Sequence, residues 1–306
     1  MPLAAIDRIL NATPIEVQAF AICDIGADAA VLAPPRDTIE VHHVLAGTLY
    51  LTVCDRLHVL HAGAMVLVPP GHAQVLAASM TPARHFDVHA VVAERADGML
   101  LAAAGSEGRA PGARLICGRV QTNANGLFGP LDAMAQAIVA DLVGEPLASA
   151  AFGGLLAEVE RPGPFSRSLA GALMKVCLAL ALRKHVVDGN AAETPALFAK
   201  PWLARAVSAV LDAPDHAHSV QSLARAAGRS RSAFARDFTT IVGMPPMEFV
   251  AAVRLDRGRR LLETSDLPVG KIAGAVGFGS RSHFSRVFRT AFGKDPSTWR
   301  LDHIGT

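Results

Sequence analysis

The chain is short of several things that would have decided its class at once. Its four cysteines, Cys23, Cys54, Cys117 and Cys177, are far apart and form no CxxC pair. That spacing excludes a disulfide scaffold and a zinc finger. No run of about 18 uncharged apolar residues occurs, so no membrane span is expected. Met1 to Leu10 carries Asp7 and Arg8 and lacks a signal-peptide core, which makes a cytoplasmic location the expectation. Net charge is only +2, too little to mark the whole chain as a polyanion binder. Aromatic residues make up 5%, mostly Phe, and they concentrate near the C-terminus.

What is present is enough for two cores. Hydrophobic residues make up 51% of 306, against disorder and in favour of more than one domain. The small net charge hides an asymmetry. Residues 201–306 hold 15 Lys and Arg against 9 Asp and Glu, and residues 1–200 hold 14 against 18. The basic third, at +6, suits a polyanion partner, and the rest, at −4, does not.

Within that basic third one pattern occurs twice. The first copy runs Val220, Leu223, Ala224, Ala227, Gly228, Phe234, Arg236, Phe238, Gly243, Pro246, Phe249. The second runs Val269, Ile272, Ala273, Val276, Gly277, Phe284, Arg286, Phe288, Gly293, Pro296, Trp299. Each copy reads as a short helix, a glycine-bearing turn and a second helix, at about 219–242 and 268–292. That is the order of a helix-turn-helix, whose second helix enters the major groove of DNA. Ser230 and Ser280 are the expected N-caps of the second helices. Phe234 and Phe238, and Phe284, Phe288 and Phe292, then share inward faces at helical spacing. Arg231, Ser232, Arg236 and Thr239 fall outward in the first copy, and Ser282, His283, Arg286 and Arg289 in the second. Arginine suits base reading because its fork can bond guanine O6 and N7 together. A single such helix is equally an ordinary solvated one; two registered copies argue for the reader. A helix over 248–264 would join them, spanning about 25 Å.

The stretches LARAAGRSRSAFARDFTTIVGMPPMEFV and IAGAVGFGSRSHFSRVFRTAFGKDPSTWR resemble the AraC/XylS family of transcriptional regulators. The resemblance implies an all-α DNA-binding domain over 201–303, with base contacts at positions matching Ser232, Arg236, Ser282, His283 and Arg286. It implies promoter DNA and RNA polymerase as partners, and no catalytic role.

Residues 15–95 read as short strands separated by Gly and Pro turns, the pattern of a sandwich or barrel. Residues 96–114 read as a Gly/Ala-rich loop and 115–120 as a further strand. Residues 130–142 and 166–187 read as helices, and 188–195 as part of a linker placed at 191–200. Val41–Gly47 and Gly63–His72 resemble the cupin sensor domain of AraC-type regulators. The fold class expected is therefore α+β multidomain: a cupin-like β-barrel with following helices over 1–190, then the all-α domain. The helix 166–187 either packs on the barrel or supplies a homodimer surface.

Seven of the twelve histidines lie between His42 and His89. His42 and His72 are the candidate ligands for a metal, but the HxH…E set of cupin enzymes is missing and Gln74 stands where a histidine is usual. No cofactor is expected. A metal-dependent, dioxygenase-like cupin enzyme with an appended DNA-binding domain is the alternative class. Cys23 and Cys117 occupy positions that resemble cysteines of reactive-chlorine- and electrophile-sensing regulators in this family. Arg119 could favour a thiolate at Cys117, and the two sulfurs could form a switchable disulfide if their Cα atoms come within about 7 Å. The competing reading is two inert thiols. Cys54 and Cys177 read as core residues.

Overall fold

A computed structural model describes residues 16–94, 100–106, 110–121, 134, 136–161, 163–164, 166–188 and 200–304. They divide into two compact units, the described residues 16–188 and 200–304.

The first unit holds eleven strands: β1 (Glu16–Ile25), β2 (Ala29–Ala33), β3 (Ile39–Val53), β4 (Arg56–His61), β5 (Ala64–Val68), β6 (Gln74–Ala77), β7 (Arg84–Asp87), β8 (Val92–Glu94), β9 (Leu100–Ala104), β10 (Ala113–Gln121) and β11 (Ile138–Asp141). A one-turn helix, α1 (Val88–Val91), separates β7 from β8, and α2 (Pro146–Glu160) and α3 (Ser166–Val187) close the unit. One sheet runs β8-β9-β1-β10-β3-β5-β11, and the other runs β7-β2-β6-β3-β4. Strand β3 belongs to both. Its first half pairs with β10 and β5, and its second half with β4 and β6. The crossing falls at Gly47, with φ +77°, where a Cβ would sit 1.9 Å from the Gly112 carbonyl oxygen. Only glycine fits both demands. A register shift between Arg114 and Leu115 of β10 lies beside the same bend. The result is an open barrel. Its core draws Ile25, Val44 and Leu115 from one sheet and Val31, Leu51 and Leu76 from the other.

The first six residues of β3 are all buried, because the outer side is covered as well as the inner. On that outer side His43 stacks flat on Phe152 of α2, with ring centroids 3.4 Å apart.

Three sequence expectations are corrected. Residues 138–141 of the helix expected over 130–142 form β11, paired antiparallel with β5; residues 130–133 lie outside the described residues. The run Ile-Val-Ala-Asp is short and apolar, and such a run does not separate helix from strand by period. The loop expected over 96–114 contains β9, which runs parallel to β1. Its alanines weaken the strand signal, but Ala102 and Ala104 are buried at period 2. Cys54 is half-buried against the barrel core rather than within it. It sits with Asp55 in the two-residue β3–β4 turn, both at positive φ (51° and 57°), the type I′ geometry that matches strand twist. Helix α2 had no counterpart in the sequence reading, and the linker at 191–200 lies almost wholly outside the described residues.

The second unit is all helix: α4 (Pro201–Asp212), α5 (Val220–Ala227), α6 (Arg231–Val242), α7 (Pro246–Thr264), α8 (Val269–Ala275), α9 (Arg281–Phe292) and α10 (Pro296–Ile304). Among the described residues no helix is long and apolar enough to cross a membrane.

Candidate functional site

Both helix-turn-helix pairs are built by the same local chemistry. Helix α5 starts on a reciprocal cap, Ser219 with Ser222, and ends at Gly228 in the left-handed conformation, φ +68°. The Ser230 hydroxyl then accepts from the Ala233 amide to open α6. In the second pair Gly277 has φ +85° and the Ser280 hydroxyl accepts from the His283 amide to open α9. Leu223 and Ile272 are buried under the turns.

The phenylalanine stripes fix how each second helix is seated. Phe234 and Phe238 are fully buried and run on to Phe249 of α7 and Trp202 of α4. Phe284 and Phe288 are fully buried, while Phe292 is half-buried against Phe288 and Trp299. Pro296 is buried at the start of α10. The opposite faces carry the predicted polar residues: Arg231, Ser232 and Arg236 on α6, and Ser282, His283, Arg286 and Arg289 on α9, all exposed. Arg236 lies 2.9 Å from Asp237, but its side chain keeps 75% of its exposure. Arg289 lies 3.7 Å from Asp295 at 63% exposure. Thr239, expected outward, is half-buried, and its hydroxyl donates to the Ala235 carbonyl.

Several supporting residues escaped the sequence reading. Gly258 of α7 lies under Phe284, where a Cβ would come within 2.8 Å of the ring. Arg254 donates to the Pro214 and His216 carbonyls, tying the α4–α5 connection to α7. Trp299 donates to Glu263, which also holds Arg259, which in turn pairs with Asp256. A lone glycine or arginine within a helical pattern carries no signal of its partner, so only coordinates expose these contacts.

The first unit contains a cavity of about 290 Å³, lined mostly by apolar side chains such as Ile25, Val31, Leu76 and Leu100. Cys23, His42, Gln74 and Cys117 also line it. Three neighbouring strands place them. Cys117 on β10 is the register partner of both Ala21 on β1 and His42 on β3, and Cys23 is two residues along from Ala21. Residues two apart share a strand face, so both thiols and the imidazole project inward. Gln74 reaches His42 from the other sheet: His42 Nε2 lies 2.9 Å from Gln74 Oε1, and His42 Nδ1 lies 3.2 Å from Cys117 Sγ.

Burial dominates the electrostatics of a wall that also carries Asp24, Arg36, Glu40 and Arg119. Burial lowers His42 to about 4, outweighing the Gln74 hydrogen bond that opposes it. The hydrogen bond with Cys23, then burial, hold the Cys117 thiol well above its ordinary range, and the charges of Cys23 and Glu40 add to this. The expected thiolate beside Arg119 is therefore corrected: Arg119 acts on Glu40, whose carboxyl burial nevertheless raises. Cys117 thus lies between Cys23 and the His42 ring, and Gln74 presents its oxygen to His42 Nε2. Gln74, only 2% exposed, is left with an Nε2 that has no partner.

These residues do not fit the metal of cupin enzymes. Both ring nitrogens of His42 are engaged, and His72 lines a separate pocket with Cys54, Asp55 and Gln136. Among the described residues no three His, Cys, Asp or Glu side chains gather to hold an ion.

A two-sheet open barrel followed by paired helix-turn-helix units defines a class that joins a cupin domain to an AraC-type helix-turn-helix. The family model described as Cupin matches residues 5–187, and that described as Helix-turn-helix domain matches residues 223–302; the chain belongs to the cupin family and carries an AraC-type helix-turn-helix region. An uncharacterized HTH-type transcriptional regulator of Haemophilus influenzae is 35% identical over 147 residues, 47% of this chain and 49% of that protein. The RCS-specific HTH-type transcriptional activator RclR of Escherichia coli is 31% identical over 134 residues, 44% of this chain and 47% of that protein. The chain thus spans about half the length of the curated relatives it matches. The solved DNA-binding domain of AdpA, crystallised with a target DNA, is 32% identical over 35% of this chain and 95% of that one, with a TM-score of 0.33.

Proposed function

We propose that the protein is a cytoplasmic, sequence-specific DNA-binding transcription regulator whose barrel receives an intracellular signal. The observation that carries the reading is the repeated pairing of a buried phenylalanine stripe with an exposed polar face on α6 and α9. The stripe fixes each helix's angle, and the polar face is free for base edges and phosphates. Arg231, Ser232 and Arg236 serve the first contact, and Ser282, His283, Arg286 and Arg289 the second. Promoter DNA is the partner, RNA polymerase follows at an activated promoter, and a homodimer is one way to set operator spacing. The barrel serves as sensor and not as enzyme.

Thiol oxidation is the signal that Cys23 and Cys117 suit. Hypochlorous acid would take two electrons from the pair, giving one disulfide, water and chloride with a proton. The cysteines sit diagonally across β1 and β10. Such neighbours have Cα atoms roughly 7–8 Å apart, slightly beyond the usual reach of a disulfide. Closing the bond must therefore shift β1 against β10, which gives oxidation a mechanical output. Mapping bound genomic sites with and without hypochlorous acid tests both parts. Enriched sites sharing one motif are expected, with occupancy that changes on oxidation in the wild type and not in Cys23→Ser or Cys117→Ser. Scattered, motif-free binding sinks the regulator reading. An oxidant response that survives both substitutions sinks the thiol reading alone.

A further inference from the structure

We infer that Asp237 is a positioning residue that fixes the direction of the Arg236 guanidinium and so makes the first reading helix selective for guanine. This role rests on the reading of Arg236 as a base contact, and adds the residue that gives that contact its selectivity. Arg236 Nε donates to Asp237 Oδ1 at 2.9 Å, although the Arg236 side chain is otherwise 75% exposed. Successive residues on a helix do not face each other, so the arginine folds sideways along α6 to make this bond. The acid is held from its other side. Asp237 Oδ2 accepts from Nη2 of Arg229, which lies in the turn before α6. The Arg229 guanidinium in turn lies over the Trp202 ring, 4.5 Å from its centroid, and Trp202 meets the buried Phe234 edge-on at 6.1 Å. A line of contacts thus runs from the phenylalanine core through Trp202, Arg229 and Asp237 to the outermost arginine.

The consequence is geometric. A guanidinium has a fixed fork of donors, and it can meet two acceptors either through Nε with one Nη or through both Nη together. With Nε on Asp237, the Nη pair at the tip is the edge left for DNA. Guanine alone presents two acceptors side by side in the major groove, O6 and N7. An arginine held in advance also loses less freedom when it binds. The acid has a second effect. Its charge lies between two guanidiniums and offsets both, so the first helix is drawn less to the phosphates that any DNA offers.

The second copy lacks this arrangement. Val287 stands at the position of Asp237 and Gly279 at that of Arg229. Val287 packs against the core of its own helix pair, so no carboxylate follows Arg286 along α9. The two reading helices therefore differ in kind. One carries a braced arginine and the other a free one, and the second serves as a control for the first.

The full chain is used to select sites from a random duplex library, and anisotropy titrations compare the selected site, its single-base variants and random DNA. The wild type should enrich a motif containing a guanine that Arg236→Ala no longer distinguishes. Asp237→Asn should keep the motif, but its preference for that guanine should fall about tenfold, the scale of ordering one long side chain. Its affinity for random DNA should rise about twofold or more, because a negative charge beside the phosphates is gone. Base preferences that depend on Arg286 should stay as they are, and so should the melting temperature, since asparagine keeps an oxygen for Arg229. A residue that only supports the fold would instead lower affinity on every DNA together with the melting temperature. One measurement needs no folded variant of Asp237. In the free wild-type chain the Arg236 Nε–H, assigned by its loss in Arg236→Ala, should exchange with water more slowly than that of Arg286 by NMR. A guanine preference that survives Asp237→Asn, a uniform loss on all DNAs, or equal exchange at the two arginines each overturns the inference and leaves Arg236 standing as a reader. A motif untouched by Arg236→Ala, or no motif at all, instead removes the base-contact reading, and the role of Asp237 with it.

Discussion

At the residue scale the most demanding position is Gly258. A methyl there would press within 2.8 Å of the Phe284 ring, which is itself fully buried and has no room to retreat. Gly258→Ala should therefore destabilise the helical unit by about 1–3 kcal/mol, despite alanine's better helix propensity. Urea denaturation followed by circular dichroism checks it, and an unchanged midpoint would mean that Phe284 has slack. The barrel's histidines make an opposite kind of demand. His42 and His43 are both lowered to about 4 by burial. Their unfolded forms bind protons below pH 6.5 while the folded forms do not, so stability is present above that pH and is lost as pH falls toward 4. Between pH 7 and pH 5 each should cost about 2 kcal/mol. Denaturant midpoints at the two pH values test this, with His42→Gln expected to remove roughly half of that share.

At the scale of elements, helices were far more legible than strands. Helices α6 and α9 announce themselves through a serine cap, a phenylalanine stripe and a terminal glycine, three local signals that agree. Ser230→Ala and Ser280→Ala should each cost about 1 kcal/mol, because each leaves a first-turn amide without its acceptor. Thermal melts showing no loss for either would mean that packing alone sets those helix starts. The first unit speaks less clearly. Strand β3 is buried on both faces for its first six residues, so it shows no alternation there. Strands β9 and β11, whose partners are distant in sequence, are four or five residues, all Ala, Leu, Ile or Val except Asp141. The candidate pocket was half legible for the same reason. Cys23 and Cys117 stood out by type, but Gln74 read only as a missing histidine. Its role depends on two sheets facing each other across the cavity, and no local pattern encodes that.

At the scale of the whole molecule the charge is divided as the work is. Residues 201–306 carry +6 and residues 1–200 carry −4, so attraction to a polyanion belongs to the helical half. Within that half the arginines separate into two groups. Arg254 and Arg259 spend their donors on carbonyls and carboxylates inside the unit, while Arg236 and Arg286 stay exposed on the faces of α6 and α9. The two groups should fail differently when replaced by alanine. Loss of Arg259 leaves Asp256 with Arg260 alone and Glu263 with the Trp299 indole alone, at 18% and 22% exposure, so stability should drop by about 1–2 kcal/mol, before any question of DNA arises. Loss of Arg286 should leave the melting temperature unchanged and weaken binding to a selected DNA site by about 1–3 kcal/mol if it reads a base. Should it touch only phosphate, affinity would fall alike on selected and random DNA, and the slope of log K against log salt would shrink by about 0.9. Anisotropy titrations of the full chain on both DNAs at several salt concentrations separate these outcomes. A variant with unchanged affinity and unchanged slope would show that the polar face of α9 does not meet DNA.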